Sequence, residues 1–133
     1  MTDEPKLLLA LVRSELTGEE PRREEAALAA ADWDAVLKEA QQQAVTLMAA
    51  DALAPFSAQV TNPDAWAAAA VRQLRANCAL TQTAAWLERT LAPEPMAILK
   101  GMSAASYYRR PAGRILGDID FLTDPAKTQA LCE

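Results

Sequence analysis

The stretch that decides the fold begins Met96-Ala97-Ile98-Leu99-Lys100-Gly101, continues through Met102 to Tyr108 and a basic loop, and ends Gly117-Asp118-Ile119-Asp120-Phe121-Leu122-Thr123. The short apolar run Met96 to Leu99 predicts a strand that breaks at Lys100-Gly101 into a helix over Met102 to Tyr108. Strand, glycine turn and helix start together place backbone N–H groups and a positive dipole end where an anion can sit, and Lys100 adds a formal charge there. In the second strand, side chains alternate between faces. Asp118 and Asp120 therefore project together while Ile119 and Phe121 face a core. Two adjacent carboxylates repel, and a hard divalent cation, Mg²⁺ or Mn²⁺, is the usual remedy. Mg²⁺ often takes only one or two carboxylates plus substrate phosphates.

A phosphate-holding turn followed by a metal-holding acidic strand resembles the active-site entrance of the nucleotidyltransferase superfamily that includes DNA polymerase beta. Ile98-Leu99-Lys100-Gly101, Tyr107 and Arg114-Ile115-Leu116-Gly117-Asp118-Ile119-Asp120-Phe121-Leu122 are similar, more narrowly, to an uncharacterised bacterial nucleotidyltransferase family. Its hallmark is a Leu-Lys-Gly turn followed by Arg and then Gly-Asp-Ile-Asp. Asp32-Trp33, the run through Val36, Leu37 and Ala40, and the helix ending Arg75-Ala76-Asn77 resemble the helical region that this family places before its catalytic fold. The turn here is Lys100-Gly101, where better-studied branches have Gly-Gly or Gly-Ser.

The resemblance implies a catalytic and metal-binding pair, Asp118 and Asp120, holding Mg²⁺ or Mn²⁺ against an NTP. A nucleoside monophosphate would pass to a hydroxyl acceptor of unknown identity with release of pyrophosphate. It implies phosphate contacts from Lys100, from Arg114 as a two-pronged partner, and from the Met102 and Ser103 N–H groups with the Ser103 hydroxyl, Gly101 letting the backbone approach the phosphates closely. It also implies a third carboxylate on a later strand. No convincing residue for it is visible before Glu133, so the chain is expected to be truncated at the C-terminus.

The fold class expected is α+β, mostly α: a helical bundle region over residues 1–93, then the start of a nucleotidyltransferase-like mixed sheet over residues 94–133, incomplete. The chain of 133 residues is 51% apolar, the composition of a globular domain. A net charge of −5 argues against general nucleic-acid binding. The acidic excess lies in residues 1–93, with 8 Lys+Arg against 13 Asp+Glu, whereas residues 94–133 hold 5 of each. Arg109, Arg110 and Arg114, clustered ahead of the aspartates, can receive a triphosphate or form a solvated loop.

With no histidine, Ser-His-Asp and Cys-His catalysis and His-ligated zinc are excluded within this chain. Cys78 and Cys132 have no metal-binding spacing and make no bridge framework, which points to a reducing cytoplasm. No secretory signal is evident. The longest alanine-rich runs, Ala26 to Ala31 and Ala65 to Val71, are too short to span a membrane.

Along the helical region, Lys6 to Leu16 puts Leu8, Leu11, Val12 and Leu16 on one face, and Gly18 stops that helix. Glu19 to Glu25 is a charged connector. Asp32 caps a helix carrying Trp33, Val36, Leu37, Ala40, Ala44, Leu47 and Met48, with Pro55 as its outer limit. Asn62-Pro63-Asp64 opens a helix to about Leu91, whose inward stripe is read as Ala67, Val71, Leu74, Cys78, Thr81 and Ala85. Trp33, Trp66 and Trp86 are read as packing residues and Cys78 as a small buried one. Pro93 and Pro95 mark the change of architecture, and Asp124-Pro125 caps a last helix.

Two rival functions have sequence support. Asp118-Ile119-Asp120 is also similar to the haloacid dehalogenase phosphatases, but that motif wants Thr or Val where Leu122 stands and a buried apolar strand where Arg114 to Gly117 stand. The other rival is a catalytically inactive helical interaction module carrying a nucleotidyltransferase fragment. An unfinished sheet with free edges favours self-association in either case.

Overall fold

A single short helix, Thr46–Leu53, organises the helical region because its sequence is apolar on nearly every side. We number the helices in chain order in this computed structural model, which describes residues 4–19, 28–92 and 95–130. They are α1 (Glu4–Thr17), α2 (Trp33–Gln42), α3 (Thr46–Leu53), α4 (Pro63–Leu91), α5 (Gly101–Ala105) and α6 (Pro125–Ala130). The strands are β1 (Ala97–Leu99) and β2 (Asp120–Leu122). Helix α3 touches α1, α2 and α4, and it buries Met48, Ala49, Ala52 and Leu53 against them. Leu7 and Leu11 of α1 and Trp33 and Val36 of α2 complete the core. Most of the expected connector, residues 20–25, lies outside the described residues, as do Pro93 and Cys132.

Several boundaries fall where side-chain chemistry predicts. The Asp32 carboxylate accepts from the Ala35 N–H at 3.0 Å as the N-cap of α2. Gly18 ends α1 at φ +73°, with its N–H donating to the Ser14 carbonyl at 2.8 Å, the left-handed helix stop that glycine adopts without strain. Pro63 sits in the first turn of α4. Asp124 accepts from the Ala126 N–H at 2.8 Å at the start of α6.

Other expectations are corrected. The helix read from Asp32 toward Pro55 is two helices, broken at Gln43-Ala44-Val45, where Ala44 takes φ 58°. Pro55 lies inside a 3₁₀ turn, Ala54–Gln59, that follows α3. On α1, Leu7 is buried and Leu16 is exposed, so the core stripe sits toward the start of the helix. The inward face of α4 carries Trp66, Ala69, Gln73, Asn77, Ala84 and Leu91. The stripe expected there turns outward, with Val71 and Leu74 exposed and Cys78 a free, exposed thiol. Trp33 and Trp66 are buried, whereas Trp86 is half-exposed.

The sheet is two-stranded and antiparallel, with Ala97 opposite Leu122, Ile98 opposite Phe121 and Leu99 opposite Asp120. Two such strands are marginal on their own and need a covering layer. The segment that brings the chain from α5 back to β2 passes through a 3₁₀ turn, Pro111–Gly113, which touches α3. There Gly113 is buried against Met48, and a Cβ at this position would lie 2.9 Å from Met48 Cγ. Gly113→Ala is therefore expected to destabilise the protein by about 1–3 kcal/mol through overpacking. In a double-mutant cycle by denaturant unfolding, Gly113→Ala and Met48→Ala should be less than additive because the second removes the clashing atom. Additive losses would show that the two residues do not meet.

Candidate functional site

The register that sets Leu99 opposite Asp120 also decides where Lys100 goes. Lys100 leaves β1 with φ 45° and ψ −119°, a left-handed conformation that favours glycine and costs a lysine about 1–3 kcal/mol. That bend starts α5, whose Ala104 N–H donates to the Lys100 carbonyl at 2.6 Å. The Lys100 ammonium lies 3.0 Å from Asp120 Oδ2. Its hydrogen bond to Asp120, then the charge of Asp120, raises the Lys100 pKa. Desolvation opposes the shift, and the charge of Asp118 adds to it. Lys100 is largely solvated and Asp120 about one-third exposed. Water screens the pair, so it contributes little to stability and matters chiefly for position.

Asp118 lies just before β2, which starts two residues later than the sequence pattern predicts. No ladder bond therefore aligns it with Asp120. It remains close enough for its charge to be felt at Lys100, but burial does not alternate as expected, since Ile119, Asp120 and Phe121 are all half-buried. The special backbone conformation falls on Lys100 and not on Gly101, which is in ordinary van der Waals range of its neighbours. A Cβ at Gly101 would lie 3.7 Å from Leu116 Cδ2 and 3.9 Å from the Asp118 carbonyl oxygen. Helix α5 ends at Ala105, short of the expected Tyr108, and Ser103 is exposed on it with its carbonyl accepting from the Ser106 hydroxyl at 2.7 Å.

The arginine cluster is divided. Arg110 pairs with Asp51 of α3 at 2.9 Å and lies 3.7 Å from Glu15 of α1. The hydrogen bond to Asp51 and the two carboxylate charges raise its pKa. The Arg109 guanidinium sits close to Gly18, where a Cβ would meet Nη1 at 3.2 Å. Both residues thus tie the basic loop to the helical region. Arg114 instead lies over the Tyr108 ring at 5.9 Å, with Nη1 donating to the Tyr108 hydroxyl at 3.3 Å. Tyr107 is exposed.

Apolar patterning missed the two residues that hold this segment in place, although Asn77 lies in the Arg75-Ala76-Asn77 stretch that resembles the family's helical region. Asn77 Nδ2 donates to the carbonyls of Ala112 (3.0 Å) and Arg114 (2.8 Å), while Asn77 Oδ1 accepts from the Leu116 N–H at 3.0 Å. Gln73, one turn earlier, accepts from the Leu47 N–H at 3.0 Å and donates to the Gly113 carbonyl at 3.3 Å. Both are buried, at 5% and 6% exposure. The signal available was their i, i+4 spacing in line with Trp66 and Ala69, which a search for apolar stripes passes over. A shallow cleft of about 280 Å³ opens beside Asn77, between Leu74 and Cys78 of α4, Met102 of α5 and Leu116.

The model of a family described as uncharacterised nucleotidyltransferase matches residues 29–133, a span that contains Asn77, Lys100, Gly101, Arg114, Asp118 and Asp120. The chain belongs to this nucleotidyltransferase family. No curated protein and no solved structure matches it.

Among the described residues, this nucleotidyltransferase has no group of three or more His, Cys, Asp or Glu side chains able to hold a metal ion, and no helix long and apolar enough to cross a membrane. Asp118 and Asp120 nevertheless suit a hard cation. They are solvent-accessible oxygen donors, and one of them already holds a cation, the Lys100 ammonium. The sign of the Lys100 shift makes the pairing testable. A raised lysine pKa means that the pair is intact below the ordinary lysine range and is lost as pH rises through the raised value. Side-chain NMR titration of Lys100 should give a midpoint that falls on Asp120→Asn and falls less on Asp118→Asn. An unchanged midpoint in Asp120→Asn would contradict the contact.

Proposed function

We propose that this nucleotidyltransferase binds an NTP with a divalent cation at Lys100, Gly101, Asp118 and Asp120, and transfers its nucleoside monophosphate to a hydroxyl acceptor. The acceptor oxygen forms a bond to the α-phosphorus, the bond to the pyrophosphate oxygen breaks, and the acceptor proton passes to solvent or a base. The observation that carries this reading is the strained Lys100 turn, which holds an ammonium 3.0 Å from Asp120 with the charge of Asp118 beside it. Backbone strain of this kind persists where the surroundings enforce it, and it concentrates at functional sites.

In this reading Asp118 and Asp120 hold Mg²⁺ or Mn²⁺, which supplies charge neutralisation at the phosphates. Lys100 exchanges its contact with Asp120 for a phosphate oxygen, as a mobile and solvated point charge can. Gly101 keeps the backbone clear of a side chain where phosphates approach, and the N–H groups of Met102 and Ser103 with the Ser103 hydroxyl take phosphate oxygens. Arg114 contributes a guanidinium with spare donors beyond its one bond to Tyr108. Catalysis of this type is mostly positioning and charge stabilisation. The free thiol of Cys78 supports a reducing, cytoplasmic setting.

One observation favours a second reading, an inactive module that binds a nucleotide or a protein partner: among the described residues no third carboxylate joins Asp118 and Asp120. Calorimetric titration of Mg²⁺-ATP and Mg²⁺-GTP, with a metal-free control and an Asp118→Asn/Asp120→Asn double variant, tests the site itself. We expect binding that requires metal and is lost, by at least about tenfold in Kd, in the double variant. Binding indifferent to metal and to both aspartates would overturn the assignment.

A further inference from the structure

We propose that Asn77 is a positioning residue for nucleotidyl transfer, acting from the helical region on a site that it does not itself touch. The inference rests on the site proposed above. Its basis is the placement of three hydrogen bonds on alternate residues of one segment, the Ala112 carbonyl, the Arg114 carbonyl and the Leu116 N–H, all made by one buried amide. Asn77 thereby uses both of its donors and an acceptor position, and a mixed donor and acceptor set fixes a chain in register, where apolar contacts alone allow it to slide.

What lies at the far end of that segment makes the fixation functional. Leu116 packs toward Gly101, 3.7 Å from where a Cβ there would stand, and the Asp118 carbonyl is 3.9 Å from the same point. Arg114, whose carbonyl Asn77 holds, has its guanidinium over Tyr108. One amide on α4 thus sets the path of the chain that delivers Arg114, the floor beneath Gly101, and the approach of Asp118 to Lys100. Gln73 supports the same segment through Gly113 while its oxygen serves the uncapped start of α3. Its bond to Gly113 is longer than those of Asn77, so Asn77 has the larger share of the positioning.

The test compares Asn77→Ala and Asn77→Asp with Leu11→Ala, a core truncation in α1 remote from the segment. Three readouts are needed: thermal stability, amide hydrogen exchange, and metal-dependent ATP affinity measured where every variant is folded. Asn77→Ala should speed exchange at Leu116 at least about tenfold while the amides of α1 and α2 stay protected, and should weaken Mg²⁺-ATP binding about 10- to 100-fold. Asn77→Asp keeps the acceptor for Leu116 and loses the donors. Its buried carboxylate then faces the Ala112 and Arg114 carbonyls with no donor between them, so it should lose Leu116 protection and weaken ATP binding at least as far as Asn77→Ala. Leu11→Ala should lower stability with affinity within about twofold of wild type.

Equal affinity loss in Leu11→Ala and Asn77→Ala at matched stability would reduce Asn77 to a structural residue, as would wild-type affinity in Asn77→Ala. If wild type itself shows no metal-dependent binding, the site assignment fails and the positioning role falls with it. That result is distinct from a wild type that binds and an Asn77→Ala that binds equally well.

Discussion

Two amide side chains on one face of α4 hold the second half of this protein to the first. Gln73 and Asn77 sit where an apolar pair would ordinarily pack, and both are nearly fully buried. Removing a partner from a buried polar group costs about 1–3 kcal/mol for each group left unsatisfied. A chain with this clasp therefore has few alternatives for the path of residues 112–116. The clasp also fixes Gly113 close against Met48, since its own carbonyl accepts from Gln73 and the carbonyls of its neighbours Ala112 and Arg114 accept from Asn77.

The site is built outward from that fixed segment. A two-stranded sheet has little stability of its own, and its outer face leaves Leu99 and Leu122 exposed. The clasp and the Arg110 contacts with Asp51 and Glu15 hold the connection between β1 and β2 against the helices, which gives the pair of strands a support that its own ladder lacks. On that support the protein maintains a lysine in a glycine-type conformation with its ammonium on an acidic strand. The energy of the Lys100–Asp120 contact is small because both partners meet water. Its importance is geometric, because it holds an ammonium against Asp120 where the charge of Asp118 is also felt.

Much of this was legible in the sequence, and the reasons are local. Asp32, Gly18, Pro63 and Asp124 each act through a bond or dihedral that belongs to one residue type, so their positions alone mark helix ends. The apolar run ending at Leu99 and the stretch around Asp120-Phe121-Leu122 marked the two strands in the same way, although the second starts only at Asp120. What was not legible depends on long-range partners. The break at Ala44 has no glycine or proline to announce it, because tertiary packing of α2 and α3 on α1 imposes it. The inward face of α4 is marked by polar residues whose partners lie 26 to 40 residues away in the chain, so apolar periodicity selected the wrong stripe and wrongly buried Cys78. Likewise, the arginines could be counted, but only the fold shows Arg109 and Arg110 turned toward α1 and α3, leaving Arg114 nearest the proposed chemistry in the chain.

The measurement that bears most directly on where chemistry occurs is paramagnetic broadening of backbone amide signals by Mn²⁺ in the presence of ATP. If the site assembled around Lys100 is the nucleotide site, Gly101, Asp118 and Asp120 broaden first, and acidic positions of the helical region such as Glu15, Asp51 and Asp64 stay sharp until Mn²⁺ is in excess. Broadening that begins at those helical carboxylates, or that spares Gly101 and Asp118, would contradict the assignment of this turn and strand as the place where nucleotide and metal meet.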